Sequence, residues 1–249
     1  ENFGPLTTGF ETIHYNNALA LEKKFKKDKN IVGFLFEPIQ GEGGVVVPDE
    51  GFLSKCKDLC KKYNVLFIAD EIQTGVCRTG KLLACHHENV KADITILGKA
   101  LAGGFYPVSG VLTSKKIMNV MKVGQHGSTF GGNPLACAVA KEAIKFSIEN
   151  KLSEKAEKLG IIFREYLNNL KNDLNIIKSV RGKGLLNAIV LNCPVNSQIP
   201  WEICLKMRDN GLLAKPTQGN KIRFAPPLII SKKQLILSLK IIEKSLRNF

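Results

Sequence analysis

Three features of the sequence predict an α/β protein built on a mostly parallel sheet, with a smaller α+β unit behind it. Short apolar runs recur through the first 112 residues, each closing on a turn or a polar residue. The stretch between the first two runs has the spacing of an amphipathic helix, and from residue 176 the pattern changes to brief β-like runs broken by glycine and proline. Strand alternating with helix favours parallel pairing, because a crossover must return the chain to the start of the next strand.

Taken in order, Ile31 to Phe36 is a nearly continuous apolar run ending at Glu37-Pro38, and Val65 to Ala69 is a second, ending at Asp70-Glu71. Both read as strands buried on two faces. Between them Phe52, Cys56, Leu59, Cys60 and Tyr63 mark one face of a helix, completing a βαβ unit. Ile94 to Leu97, ending at Gly98-Lys99, gives a third strand, and Val108 to Leu112, after the Gly103-Gly104 turn, a fourth. Asn133-Pro134 supplies an N-cap and a first-turn proline for a helix faced by Leu135, Val139, Ala143 and Phe146. A longer helix follows on Leu159, Ile162, Phe163, Tyr166, Leu167 and Leu170. Strands are expected within 176–192 and 211–230, around a helix at 199–209. Ser231 and Gln234 form a capping box for a last helix faced by Leu235, Leu239, Ile242 and Leu246. This divides the chain into part of a large α/β domain, residues 1–149, and a small α+β domain, residues 150–249.

Of 249 residues, 44% are hydrophobic and 23% charged, which excludes a disordered or fibrous chain. The apolar runs fall far short of the roughly 20 residues of a membrane helix, so a soluble protein without a membrane partner is expected. The net charge of +14 is concentrated in residues 150–249, where 18 basic groups face 7 acidic ones. With 30 lysines, only 6 arginines and no interleaved aromatics, this predicts a solvated lysine-rich face and no nucleic-acid partner. Seven cysteines without a C-x-x-C pair predict reduced, mostly buried thiols in a reducing compartment, the cytoplasm. His86-His87-Glu88 is the one metal-like cluster, but adjacent side chains diverge, so no metal is expected. The chain opens at Glu1-Asn2-Phe3 with no initiator methionine or apolar signal region, as a truncated chain would.

In open parallel sheets the ligand lies beyond the carboxyl ends of the strands, where Glu37, Asp70 and Lys99 fall. An apolar strand that delivers a lone acid beside one that delivers a lone amine needs both charges satisfied. An Asp70–Lys99 ion pair would do so, as would a ligand with an acid-seeking and an amine-seeking end. A phosphate loop is excluded. It would need glycine at position 93 and a hydroxyl residue at 100, where the chain has Asp93 and Ala100. Pyridoxal phosphate fits better: its aldehyde condenses with a lysine, and a carboxylate facing the ring nitrogen holds the proton there.

The string Phe67-Ile68-Ala69-Asp70-Glu71-Ile72-Gln73-Thr74-Gly75, with Arg78-Thr79-Gly80 and Leu97-Gly98-Lys99-Ala100-Leu101-Ala102-Gly103-Gly104, closely resembles the signature of class III (subgroup II) aminotransferases. Glu37-Pro38-Ile39-Gln40-Gly41-Glu42 looks like the family's active-site loop, and Gly127 to Pro134 like the loop that reaches the neighbouring subunit's cofactor phosphate. Within the class, Val180 to Ile189, Gly211 to Thr217 and Ile222 to Leu228 are most similar to the ornithine aminotransferases, with acetylornithine and 4-aminobutyrate aminotransferases as close competitors.

The resemblance implies a fold-type I, pyridoxal-phosphate-dependent transferase working as a homodimer with shared active sites, in cytosol or mitochondrial matrix. It makes Lys99 the cofactor's covalent partner and the proton shuttle, and sets Asp70 against the ring nitrogen. Ile72 falls against one ring face, Gln73 near the ring hydroxyl, and Ser128 and Thr129 on the partner's cofactor phosphate. Arg223 receives the α-carboxylate, Glu42 is its removable partner, and Glu37 joins them in the substrate loop. The implied reaction moves the δ-amino group of ornithine to 2-oxoglutarate by a ping-pong route. The family's upstream phosphate loop, ring-stacking aromatic and donor-carboxylate arginine find no counterpart, so the chain resembles the carboxyl-terminal three-fifths of such an enzyme. By itself it is not expected to complete a site. A degenerate paralogue or a basic binding module is the non-enzymatic alternative.

Overall fold

The computed structural model describes residues 4–247 and 249; Glu1 to Phe3, the residues at which the sequence opens, and Asn248 lie outside the described residues. The elements are α1 (Ala18–Lys27), β1 (Gly33–Phe36), α2 (Phe52–Tyr63), β2 (Leu66–Asp70), β3 (Ile94–Leu97), β4 (Gly110–Thr113), α3 (Lys115–Met118), α4 (Pro134–Glu149), α5 (Leu152–Asp173), β5 (Ile177–Lys183), β6 (Leu186–Leu191), α6 (Ile199–Asp209), β7 (Lys215–Thr217), β8 (Lys221–Phe224) and α7 (Lys232–Leu246).

β1, β2 and β3 pair in parallel, and β4 closes the sheet antiparallel to β3. The fourth strand is therefore present but reversed and begins two residues later than Val108. Its edge position tolerates antiparallel pairing on an otherwise parallel sheet. Cys56, Leu59 and Cys60 of α2 pack with Phe36 and Phe67 and with Leu21 and Phe25 of α1 to form the first core. The spacing of α1 was not singled out by its sequence: four lysines in its last two turns dilute the apolar face, and Asn17 caps it through a 2.9 Å bond from Ala20 N–H.

The second sheet, in the order β5-β6-β8-β7, is antiparallel throughout. α5, α6 and α7 cover one face and share a core of Phe163, Leu167, Ile189, Ile203, Met207, Leu239 and Ile242. Each fully buried aliphatic side chain here stabilises by about 1.5–3 kcal/mol. Both halves of the capping box at the start of α7 are formed. α4 starts where Asn133 caps and Pro134 turns, but its expected face does not meet a core within this chain. Leu135 is 57% and Phe146 47% exposed, and Ala136 is its one buried residue.

Two contacts fix the sheets relative to each other. Ile39 and Val45, from the loop after β1, pack on Leu186 and Ala188 of β6. Gly184, at φ +52°, presses against Thr79 and against Gly160 of α5, where an added Cβ on Gly160 would lie 1.9 Å from the Gly184 carbonyl oxygen. Arg78 spans the same junction and donates to the carbonyls of Leu185 and Pro226 at 3.2 and 2.5 Å. Burial lowers its pKa to about 10.

Candidate active site

Strand register brings the predicted residues to one edge. Phe36 pairs with Ala69, and Asp70 pairs with Ile96, so Glu37, Asp70 and the Gly98-Lys99 step all leave the carboxyl ends of adjacent parallel strands. Lys99 opens a short 3₁₀ turn, Lys99–Ala102, with φ +43°, a left-handed conformation that costs a non-glycine residue about 1–3 kcal/mol. Its side chain is exposed and lines an open cavity of about 600 Å³ with Phe105, Tyr106 and Ser109. Ile72 sits over the same step, its Cγ2 at 3.4 Å from where a Gly98 Cβ would stand.

Asp70 Oδ1 accepts from Ile72 N–H at 3.0 Å, a turn that fixes the carboxyl group. Its other oxygen and the Lys99 amine have no hydrogen-bond or ion-pair partner among the described residues. The simple Asp70–Lys99 ion pair is therefore not formed. An amine and a carboxylate oxygen left open at neighbouring strand ends fit a ligand with complementary ends.

Beneath them lies a residue that the sequence reading passed over. Glu71 is fully buried; it accepts from the Thr74 hydroxyl and from the backbone N–H groups of Ala84 and Cys85 at 2.9 and 2.8 Å. Three donors satisfy the carboxylate and peg the loop that carries Asp70, Ile72 and Gln73. The signal available was a second acid directly after a strand-end acid: strand alternation turns the two side chains to opposite faces.

On the near side of the edge, Arg223 of β8 meets the loop after β1. Its Nη1 donates to Glu42 Oε1 at 2.7 Å and to Gln73 Oε1 at 3.0 Å, and Gln73 Nε2 donates to Glu42 Oε1 at 3.3 Å. Lys215 stands 3.8 Å from the other Glu42 oxygen. The Arg223 side chain is 16% exposed and that of Glu42 54%, so Glu42 is the partner with room to leave. The hydrogen bond from Arg223 holds the Glu42 carboxyl below its ordinary range. Gln73 engages this pair, a placement not anticipated for it. Glu37 closes its own loop, accepting from Gly41 N–H at 2.9 Å, while the Tyr15 hydroxyl donates to the Glu37 and Pro38 carbonyls. Ser128 and Thr129 are exposed on a separate loop, where Ser128 Oγ accepts from Gly131 N–H at 3.0 Å. No hydrogen bond joins them to the strand-end group among the described residues.

The family model for aminotransferase class-III matches residues 3–246, and the chain belongs to that family. Among its relatives, a mitochondrial ornithine aminotransferase of Drosophila melanogaster is 55% identical over 99% of this chain and 56% of its own length. An acetylornithine aminotransferase structure from Elizabethkingia anophelis is 59% identical with a TM-score of 0.95, covering 98% of this chain and 64% of that one. A Toxoplasma gondii ornithine aminotransferase structure, described as having partial PLP occupancy at its active site, is 47% identical with a TM-score of 0.95, over 99% of this chain and 57% of that one. The chain thus spans somewhat more than half the length of these relatives.

Proposed function

We propose that the whole protein is a pyridoxal-phosphate-dependent ornithine δ-aminotransferase, passing the δ-amino group of ornithine to 2-oxoglutarate and yielding glutamate 5-semialdehyde and glutamate. The observation that carries this reading is the Glu42–Arg223 pair, 2.7 Å apart, at the same edge as Lys99, whose amine is open, and Asp70, which has one oxygen open. Pyridoxal phosphate, when bound, supplies an aldehyde for amine exchange and a protonated ring that draws electrons from the substrate carbon.

Lys99 is the residue that would hold the cofactor covalently, and its free amine would serve as the base that moves the proton at the reacting carbon. Held on a rigid turn, it acts at high effective concentration. Asp70 holds the proton on the ring nitrogen, since a carboxylate beside that nitrogen favours its charged form. Ile72 packs against one ring face. Ser128 and Thr129 reach the phosphate in the partner's site, which makes the working unit a homodimer. Apolar side chains exposed on β4 and α4, among them Val111, Leu112 and Leu135, support an assembly in which these elements are covered.

Donor choice follows from charge. Ornithine enters by its δ-amine and presents methylenes to Arg223, where an unpaired guanidinium would be costly; Glu42 keeps it paired. Glutamate or 2-oxoglutarate brings an α-carboxylate that takes both guanidinium nitrogens in place of Glu42. Glu37 shapes that loop through Gly41. We assign residues 1–149 to part of the large domain and 150–249 to the small one. We place the protein in the cytoplasm, with the mitochondrial matrix the alternative that the fly relative's name supplies. All seven cysteines are unpaired, which suits either compartment, and no described helix is long and apolar enough to cross a membrane.

Acetylornithine as donor is the second reading, favoured by the 59% identity to the Elizabethkingia structure. The class of chemistry is tested on the full-length protein by borohydride reduction and peptide mapping. A cofactor-sized mass on the peptide containing Lys99 is expected, and an unmodified Lys99 beside a visible cofactor band would refute it.

A further inference from the structure

We propose that Gln73 is the clamp that holds the Glu42–Arg223 pair shut, and is therefore a positioning residue that sets donor preference; this rests on the reading of that pair as a gate. The amide presents a donor and an acceptor on two separate atoms, and both are used: Oε1 accepts from Arg223 Nη1 at 3.0 Å and Nε2 donates to Glu42 Oε1 at 3.3 Å. Its position is enforced from two sides. The loop carrying Gln73 is pegged by buried Glu71, and the amide lies over Gly41, where an added Cβ would stand 2.3 Å from Oε1. Gln73 is thus fixed to the floor of the site, whereas the Glu42 carboxylate stands half-exposed on a loop that Ile39 and Val45 anchor, so its side chain can turn away while the loop stays in place.

The two bonds differ in consequence. The Gln73–Arg223 bond can be made with the pair shut or open and cancels between the two states. The Gln73–Glu42 bond exists only when the pair is shut. It therefore opposes the opening that glutamate requires and favours the closed form that ornithine meets.

Gln73→Met keeps length and bulk and removes the donor and acceptor. In single-turnover reactions of the full-length holoenzyme, the ratio of kcat/KM for glutamate to that for ornithine should rise about three- to tenfold, as expected for one hydrogen bond of ordinary net strength at the long distance of 3.3 Å. The Kd for glutarate, measured by calorimetry, should fall by a similar factor. In a Glu42→Ala background, Gln73→Met should leave the ratio where Glu42→Ala alone puts it. If Glu42→Ala shifts the ratio and Gln73→Met does not, or if the two shifts multiply, the clamp is refuted while the gate stands. An unchanged ratio in Glu42→Ala itself overturns the gate and the clamp together.

Discussion

At the scale of single residues, the site separates groups left open from groups tied down. Lys99 and one oxygen of Asp70 are open, whereas Glu71, Glu37 and Gln73 are committed to bonds within the protein. Lys99→Ala should abolish turnover, because it removes the amine at the end of β3 that anchors the cofactor and carries the proton, and Lys215 at the same edge is turned to Glu42; near-normal steady-state activity in that variant would contradict the assignment. Asp70→Ala should lower kcat by orders of magnitude more than it weakens cofactor binding, measured by turnover against cofactor titration. The Glu42–Arg223 pair also predicts a pH dependence. A carboxyl group whose folded pKa is depressed keeps its partner above the ordinary value of 4.5 and loses it only as the pH falls through the lowered value. The preference for ornithine over glutamate should therefore stay flat from about pH 8 to about pH 5. A preference that decays within that range would show that Glu42 is not held ionised by Arg223. The opened-gate variant, Glu42→Ala, should favour glutamate throughout, whereas Arg223→Ala should damage the 2-oxoglutarate half-reaction most.

At the scale of elements, the junction between the sheets holds the closest backbone approach to any described glycine. Gly160→Ala places a Cβ on the Gly184 carbonyl, and neither backbone can yield without moving α5 off β5 or Gly184 off Thr79. A loss of about 2–5 kcal/mol is expected, read as a lowered denaturation midpoint; an unchanged midpoint would mean that the junction relaxes freely. Much of this level was legible in the sequence. The βαβ unit, the long α5, the helix at Ile199–Asp209 and the capping box of α7 all carry strong local signals, because periodicity and caps are properties of neighbouring residues. What escaped depends on distant partners. The reversal of β4 is decided by its pairing with β3. The apolar stripe of α4 gives no sign of whether this chain or another surface covers it, and the place of Gln73 follows from a β8 arginine 150 residues away. Lys99 and Asp70 were readable because strand-end charges stand out against apolar runs, whereas Glu71 looked like part of the same polar edge until its side chain was seen to turn inward.

At the scale of the whole molecule, the chain supplies one edge of a site and a loop, at Ser128 and Thr129, that makes no bond to it. If that loop serves the partner's cofactor, then mixing Thr129→Ala with Lys99→Ala subunits should yield hybrids whose competent site, keeping Lys99, draws its phosphate loop from the Lys99→Ala subunit and so recovers cofactor affinity. Hybrids no better than Thr129→Ala homodimers would remove the shared site. The +14 charge, weighted to the last hundred residues, forms no part of this account and fits a lysine-rich solvated face. The central claim is donor identity, since Lys99, Asp70 and the Glu42–Arg223 pair suit any ω-amine donor and ornithine is the one proposed among them. The most direct test is a single-turnover donor panel on the full-length holoenzyme with ornithine, acetylornithine and 4-aminobutyrate, following the loss of the visible cofactor band. The account predicts the highest kcat/KM for ornithine, by at least about tenfold; a higher value for acetylornithine or 4-aminobutyrate would contradict it.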